Sequence, residues 1–112
     1  MLNYKIYLKD ILEAIERIDK SLEGMSKEDF AKDYDKKDAV FMRIQIIGES
    51  IKKIPLEIKR KYKNIRWKEF AKTRDIISHA YSKVNLNLVW DLVRNKLPIL
   101  KDNIKEILKQ TG

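Results

Sequence analysis

Apolar residues recur along this chain at three- and four-residue intervals, and no stretch alternates as a half-buried strand would. That periodicity confines the fold to packed helices, because each such run lays one stripe along a helix surface. Leu8, Ile11, Leu12, Ile15, Ile18 and Leu22 give a first helix that should end near Gly24. Ser26 with Asp29 three residues on resembles a capping box for a second start, with Phe30 and Tyr34 as anchors before a polar break at Asp33 to Lys37. From about Asp38 the set Val40, Ile44, Ile47, Ile51 and Ile54 marks the next helix, and Pro55 closes it. Leu56 to Lys63 should be a short basic helix. Asn64 then leads into a third main helix carrying Trp67, Phe70, Ala71, Ile77 and Tyr81, with Trp67, Phe70 and Trp90 as core. Asn85 or Asn87 can cap the last helix, whose stripe is Val89, Val93, Leu97, Leu100, Ile104 and Leu108; Pro98 either kinks it or opens a second piece. The expectation is an all-α, up-down bundle of four to five helices, a single domain over residues 1–112.

Composition narrows the chemistry. With no cysteine and one histidine, thiolate metal sites and disulfides are excluded, and no metal site or cofactor is expected. The start, Met1 to Lys5, lacks the apolar run of a signal peptide, and no stretch approaches a membrane span, so the expected setting is soluble and cytoplasmic. The net charge of +8 is concentrated. Between Ile51 and Lys72 stand Lys52, Lys53, Lys59, Arg60, Lys61, Lys63, Arg66, Lys68 and Lys72, opposed only by Glu57 and Glu69. Such a stripe is either a solvated surface or a track for phosphate, which it would favour through charge steering and counterion release. Its position favours the track: it runs straight into Arg74, and Lys63, Arg66, Lys68 and Lys72 are the candidate RNA contacts.

Arg74-Asp75-Ile76-Ile77-Ser78-His79-Ala80-Tyr81 contains the lone histidine. Arg stays positive and His titrates near neutrality, so the pair could hold a phosphate and move a proton beside it. On a helix Asp75 lies four residues before His79 and can orient its ring, while Arg74, Ser78 and Tyr81 define a second face. Arg74 and His79 are five apart, about 140° around and about 7.5 Å along an ideal helix. Convergence therefore needs a frayed helix near Ser78, a long reach by Arg74, or a second copy of the chain. Metal-free RNA cleavage uses a base, an acid and a cation on the phosphoryl oxygens, and a two-fold dimer would supply two imidazoles.

Arg74-x4-His79 followed by Ala80-Tyr81 resembles the Arg-x(4–6)-His signature of HEPN domains, specifically HepT-like toxins with Arg-x4-His-x-Tyr. Arg43 to Glu49, Ile54 to Glu57, Ile65 to Ala71, Val84 to Leu86, Val89-Trp90 and Leu97-Pro98 extend the resemblance in register over roughly residues 1–110. It implies a HEPN-like helical homodimer with both motifs lining one cleft, acting as a metal-independent endoribonuclease toxin on RNA such as tRNA or mRNA. It implies as partner an MNT-type nucleotidyltransferase antitoxin that transfers AMP to the motif tyrosine. Carried over, Arg74 and His79 are catalytic, Asp75 and Ser78 supporting, and Tyr81 the AMPylation site. Ala80 stands where the family usually has glycine, and the role of Glu49 stays open. The competing reading is a non-catalytic nucleotide- or RNA-binding module, partner and substrate of the nucleotidyltransferase; a purely structural helical dimer would leave the basic stripe without a purpose.

Overall fold

The computed structural model describes residues 3–78 and 84–111, with backbone only at Ile76 and Ser78. Three long helices carry the architecture: α1 (Lys5–Ser21), α3 (Tyr34–Lys53) and α8 (Leu97–Thr111). Between them run α2 (Lys27–Lys32), α4 (Leu56–Lys61), α5 (Trp67–Ala71), α6 (Thr73–Ser78), α7 (Leu86–Asp91) and a π-helical turn at Leu92–Lys96. The expected all-α bundle is what forms. Among the described residues no helix is long and apolar enough to cross a membrane.

The predicted stripes become the core. Leu8, Ile11, Ile15, Ile18 and Leu22 of the first segment are buried, as are Val40, Ile44, Ile47 and Ile51 of α3 and Leu97, Leu100 and Ile104 of α8. Helix α1 packs on both α3 and α8. Arg43 reaches the Arg17 carbonyl and the Ser21 hydroxyl, while the Lys53 ammonium sits 5.6 Å from the Tyr7 ring centre, so α1 and α3 run antiparallel. At the end of α1, Gly24 takes φ +72°, a left-handed conformation that a side chain would strain.

Caps fix the boundaries. Ser26 Oγ accepts from the Asp29 amide at 3.0 Å and Asp29 Oδ2 accepts from the Ser26 amide at 3.3 Å, the reciprocal box expected from sequence. Ser26→Ala is expected to cost about 1 kcal/mol of stability, read from urea unfolding at unchanged slope. Ile54 is extended because the following proline disfavours a helical residue there, and this ends α3. Asn85 Oδ1 accepts from the amides of Asn87 and Leu88 and so caps α7; Asn87 instead receives the Lys27 ammonium.

Four expectations need correction. Tyr34 is not an anchor: it is 69% exposed, with the Lys37 ammonium over its ring, and Phe30 alone is fully buried, packed against Trp90. The polar break is the single residue Asp33, whose carboxylate accepts from the Lys36 amide and starts α3 at Tyr34. At the chain's other end the buried position is Ile107, with Leu108 only half-buried. The segment expected as one motif-bearing helix is broken at Lys72 into α5 and α6. Buried Thr73 turns its hydroxyl back to the Phe70 carbonyl at 2.6 Å, and the Asp75 amide bonds to the Lys72 carbonyl, closing a tighter turn at the junction.

Of the two options left for Pro98, the second holds: α8 opens just before it. A proline here has no N–H to give the carbonyl four residues back, and the preceding turn widens, the Leu97 amide reaching Leu92 O. Arg94 uses this turn to stack on Trp90 and to donate to the carbonyls of Leu22 and Met25, tying it to the end of α1.

Candidate active site

Arg74 lies in the first turn of α6, and α6 lies on α3. The close approach follows from Gly48. A Cβ there would sit 3.0 Å from Arg74 Cβ and 3.4 Å from the Ala71 carbonyl oxygen. A glycine inside a helix costs up to about 1 kcal/mol relative to alanine, and here the missing side chain lets two backbones meet. Gly48→Leu is expected to destabilise the protein by about 1–3 kcal/mol by overpacking, visible as an earlier denaturation midpoint. Gly48→Ala should cost less, because its gain in helix propensity opposes the crowding.

The next residue makes use of that contact. Glu49 forms an ion pair with the Arg74 guanidinium, and the two side chains are 45% and 40% exposed. The role left open for Glu49 is therefore a tether across two helices. One carboxylate fixes the direction of the guanidinium while solvent still reaches it, so further N–H donors remain for an incoming anion. The exposed pair adds little stability by itself. Its use is orientation. The sequence signal was a glycine in the middle of an Ile-rich helical run with a glutamate immediately after it.

Asp75 is exposed, in the first turn of α6, where negative charge suits the helix N-terminus. Ser78 closes α6, and its side chain is outside the described part. His79, Ala80 and Tyr81 lie outside the described residues, and with them the expected carboxylate–imidazole face and the tyrosine position.

Lys63, Arg66, Lys68 and Lys72 are all exposed on the segment leading to Arg74. Glu69, which sequence sets against this stripe, is drawn elsewhere. Its carboxylate binds Lys96 at 2.7 Å and Arg66 more loosely at 3.5 Å. The hydrogen bond from Lys96 comes first in holding the Glu69 carboxyl below its usual range, Arg66 adding to it, and the same bond raises Lys96. So an acid of the stripe is shared with a base from the C-terminal half. Lys59, half-buried in α4, is pushed the other way, its pKa lowered by burial. Lys72 also borders a recess of about 230 Å³ between α5–α6 on one side and α7 with the π-helical turn on the other, its lining including Leu88 and Leu92.

A family model described as ribonuclease HepT-like matches residues 11–107. The chain belongs to the HepT-like ribonuclease family. It is 38% identical over 107 residues to a Thermococcus cleftensis protein named "Probable ribonuclease HepT", covering 96% of this chain and 97% of that one. A Caldanaerobacter subterraneus subsp. tengcongensis protein, provisionally named an RNase, is 36% identical over 104 residues, 93% of each chain. A Methanocaldococcus jannaschii protein with the double name gamma-glutamylcyclotransferase and provisional RNase is 44% identical over 106 residues, or 95% of this chain. The chain spans only 48% of that relative's length. No solved structure matches. For this HepT-like chain the matched region takes in α3, with Gly48 and Glu49, and α6, with Arg74.

Proposed function

We propose that this HepT-like chain is a metal-independent endoribonuclease, the toxin of a toxin–antitoxin pair, using Arg74 and His79 at a cleft between two copies. The observation that carries the reading is the Arg74 guanidinium itself: directed by Glu49, open to solvent, at the end of an exposed basic stripe and five residues before the only histidine. A polyanion drawn along Lys63, Arg66, Lys68 and Lys72 meets next a cation that can take two phosphoryl oxygens at once.

The chemistry is an internal transfer. The ribose 2′-oxygen loses its proton to a base and bonds to the adjacent phosphorus; the bond to the 5′-oxygen breaks, and an acid protonates that leaving oxygen. The products are a 2′,3′-cyclic phosphate and a 5′-hydroxyl end. His79 of one copy serves as base and His79 of the partner subunit as acid, while Arg74 neutralises the charge growing on the phosphoryl oxygens. Asp75 and Ser78 support the imidazole. Tyr81 is the switch: its phenol oxygen attacks the α-phosphorus of ATP on an MNT-type nucleotidyltransferase, pyrophosphate leaves, and the added AMP puts bulk and negative charge where RNA phosphate would lie.

The test is direct. EDTA-treated protein incubated with tRNA is expected to yield fragments ending in 2′,3′-cyclic phosphate, at a rate that added magnesium does not rescue or raise. Intact RNA that is nonetheless retained by the protein would favour the non-catalytic binding module.

A further inference from the structure

The recess beside Lys72 differs from the rest of the basic stripe in offering apolar surface. Besides Lys72 its lining includes Glu69, Leu88, Asp91, Leu92 and Lys96, around about 230 Å³. Leu92 is buried, but Leu88 leaves 52% of its surface in water. The polar groups are already arranged as acceptor beside donor. The Lys96 ammonium bonds to Glu69 at 2.7 Å and lies 4.0 Å from Asp91, whose other carboxylate oxygen accepts from Asn95 at 2.7 Å. Lys96 and Glu69 are both partly open to solvent, so their pairing is weak enough to turn toward an incoming partner. Thr73, also in the lining, immediately precedes Arg74, so the recess begins one residue, about 3.8 Å along the chain, from the guanidinium's own Cα.

We propose that this recess receives one unpaired base of the RNA strand and selects bases with an exocyclic amine (adenine, cytosine and guanine) over uracil. It rests on the RNA-cleavage reading only in taking RNA as the strand on the stripe. Size sets the class of occupant: the recess is smaller than the roughly 300–1,000 Å³ of pockets for drug-sized ligands, so it suits one flat ring system rather than a whole nucleotide. Continuity sets the source, because Lys72 belongs to the stripe and to the rim alike, and a strand held on the stripe carries its bases past the recess. Single-stranded RNA is read by splaying bases out, laying their faces on side chains and bonding their edges. Leu88 offers the surface for the face. At the edge a carboxylate only accepts, and the hydrogen bond from Lys96 keeps the Glu69 carboxyl ionised by holding it below its usual range. The amines of adenine, cytosine and guanine meet that need, whereas uracil presents a single ring N–H flanked by two carbonyls that a carboxylate repels. Lys96 supplies the adjacent donor for a ring nitrogen or carbonyl, and Lys72 can pair with the phosphate of the same nucleotide.

Fluorescence anisotropy of the full chain with 2′-O-methyl oligonucleotides, which lack the attacking hydroxyl, separates base choice from cleavage. Uridine eight-mers carrying one central adenosine, cytidine or guanosine are expected to bind about ten-fold more tightly than the all-uridine strand at the same salt. Glu69→Gln should reduce that ratio to about two-fold or less, because an amide also donates and so serves a carbonyl as well as an amine. Leu88→Ser should shrink it too, by removing the surface under the ring. Neither side chain is buried, so helical circular dichroism should stay as in wild type. Lys63→Ala, on the stripe but outside the recess, should weaken all four strands alike and keep the ratio. Equal binding of the four strands by wild type, no binding of any, or both recess variants keeping the wild-type ratio would overturn the proposal. Selective binding of these strands together with unmodified tRNA left intact would uphold the recess and count against the ribonuclease reading alone.

Discussion

Replacing His79 by alanine is expected to slow RNA cleavage by roughly 10²–10⁴-fold, the usual worth of a positioned acid–base group, while the bundle stays folded. The core draws most of its buried side chains from α1, α3 and α8, and position 79 falls outside those three segments of the sequence. The substitution should therefore leave the thermal midpoint and the helical signal nearly as they were. If both copies contribute an imidazole to one cleft, mixing wild-type and His79→Ala chains should give heterodimers with intermediate or asymmetric activity. A variant that cuts RNA as fast as wild type would remove the histidine from the mechanism.

Arg74→Ala carries the second large effect, about 10²–10³-fold in the cleavage rate, comparable to losing one donor to a charged transition state. On the proposed reading the loss should fall on the chemical step more than on RNA affinity, because the exposed lysines and arginines upstream would still hold the backbone. Arg74→Lys keeps the charge but not the planar fork and should recover only part of the rate. Glu49→Gln separates orientation from charge. It leaves the guanidinium in place and removes the ionic tether, so the rate should fall less than in Arg74→Ala. A fall equal to that of Arg74→Ala would make Glu49 a direct participant; no change at all would make the ion pair incidental.

Much of the scaffold could be read from periodicity. The stripes of α1 and α3 were legible because an Ile or Leu every third or fourth position has few other uses, and the Ser26–Asp29 box because its two hydrogen bonds are local. The break between α5 and α6 was not, since it depends on a threonine hydroxyl choosing the Phe70 carbonyl once Thr73 is buried. Tyr34 misled for the same reason: its spacing from Phe30 suits a shared face, but α3 begins at Tyr34 itself and turns that ring outward. At the site, Arg74 could be picked out from the motif. Its partner could not, because Glu49 stands 25 positions earlier (74 − 49) and only the meeting of α3 with α6 makes them neighbours. Glu69 was legible as an acid in a basic stripe, yet its tie to Lys96 joins two segments no local pattern relates.

The Arg74 side chain is carried on a six-residue helix that follows one of five residues. Pieces that short are not self-supporting in water. Their geometry is lent by the long helix beneath them, through one absent side chain and one carboxylate, and by the burial of Trp67, Phe70 and Ile77 in the shared core. Only the exposed positions of this edge, Lys68, Lys72 and Asp75 among them, can drift at little risk to the frame, because Trp67, Phe70 and Ile77 are themselves part of it.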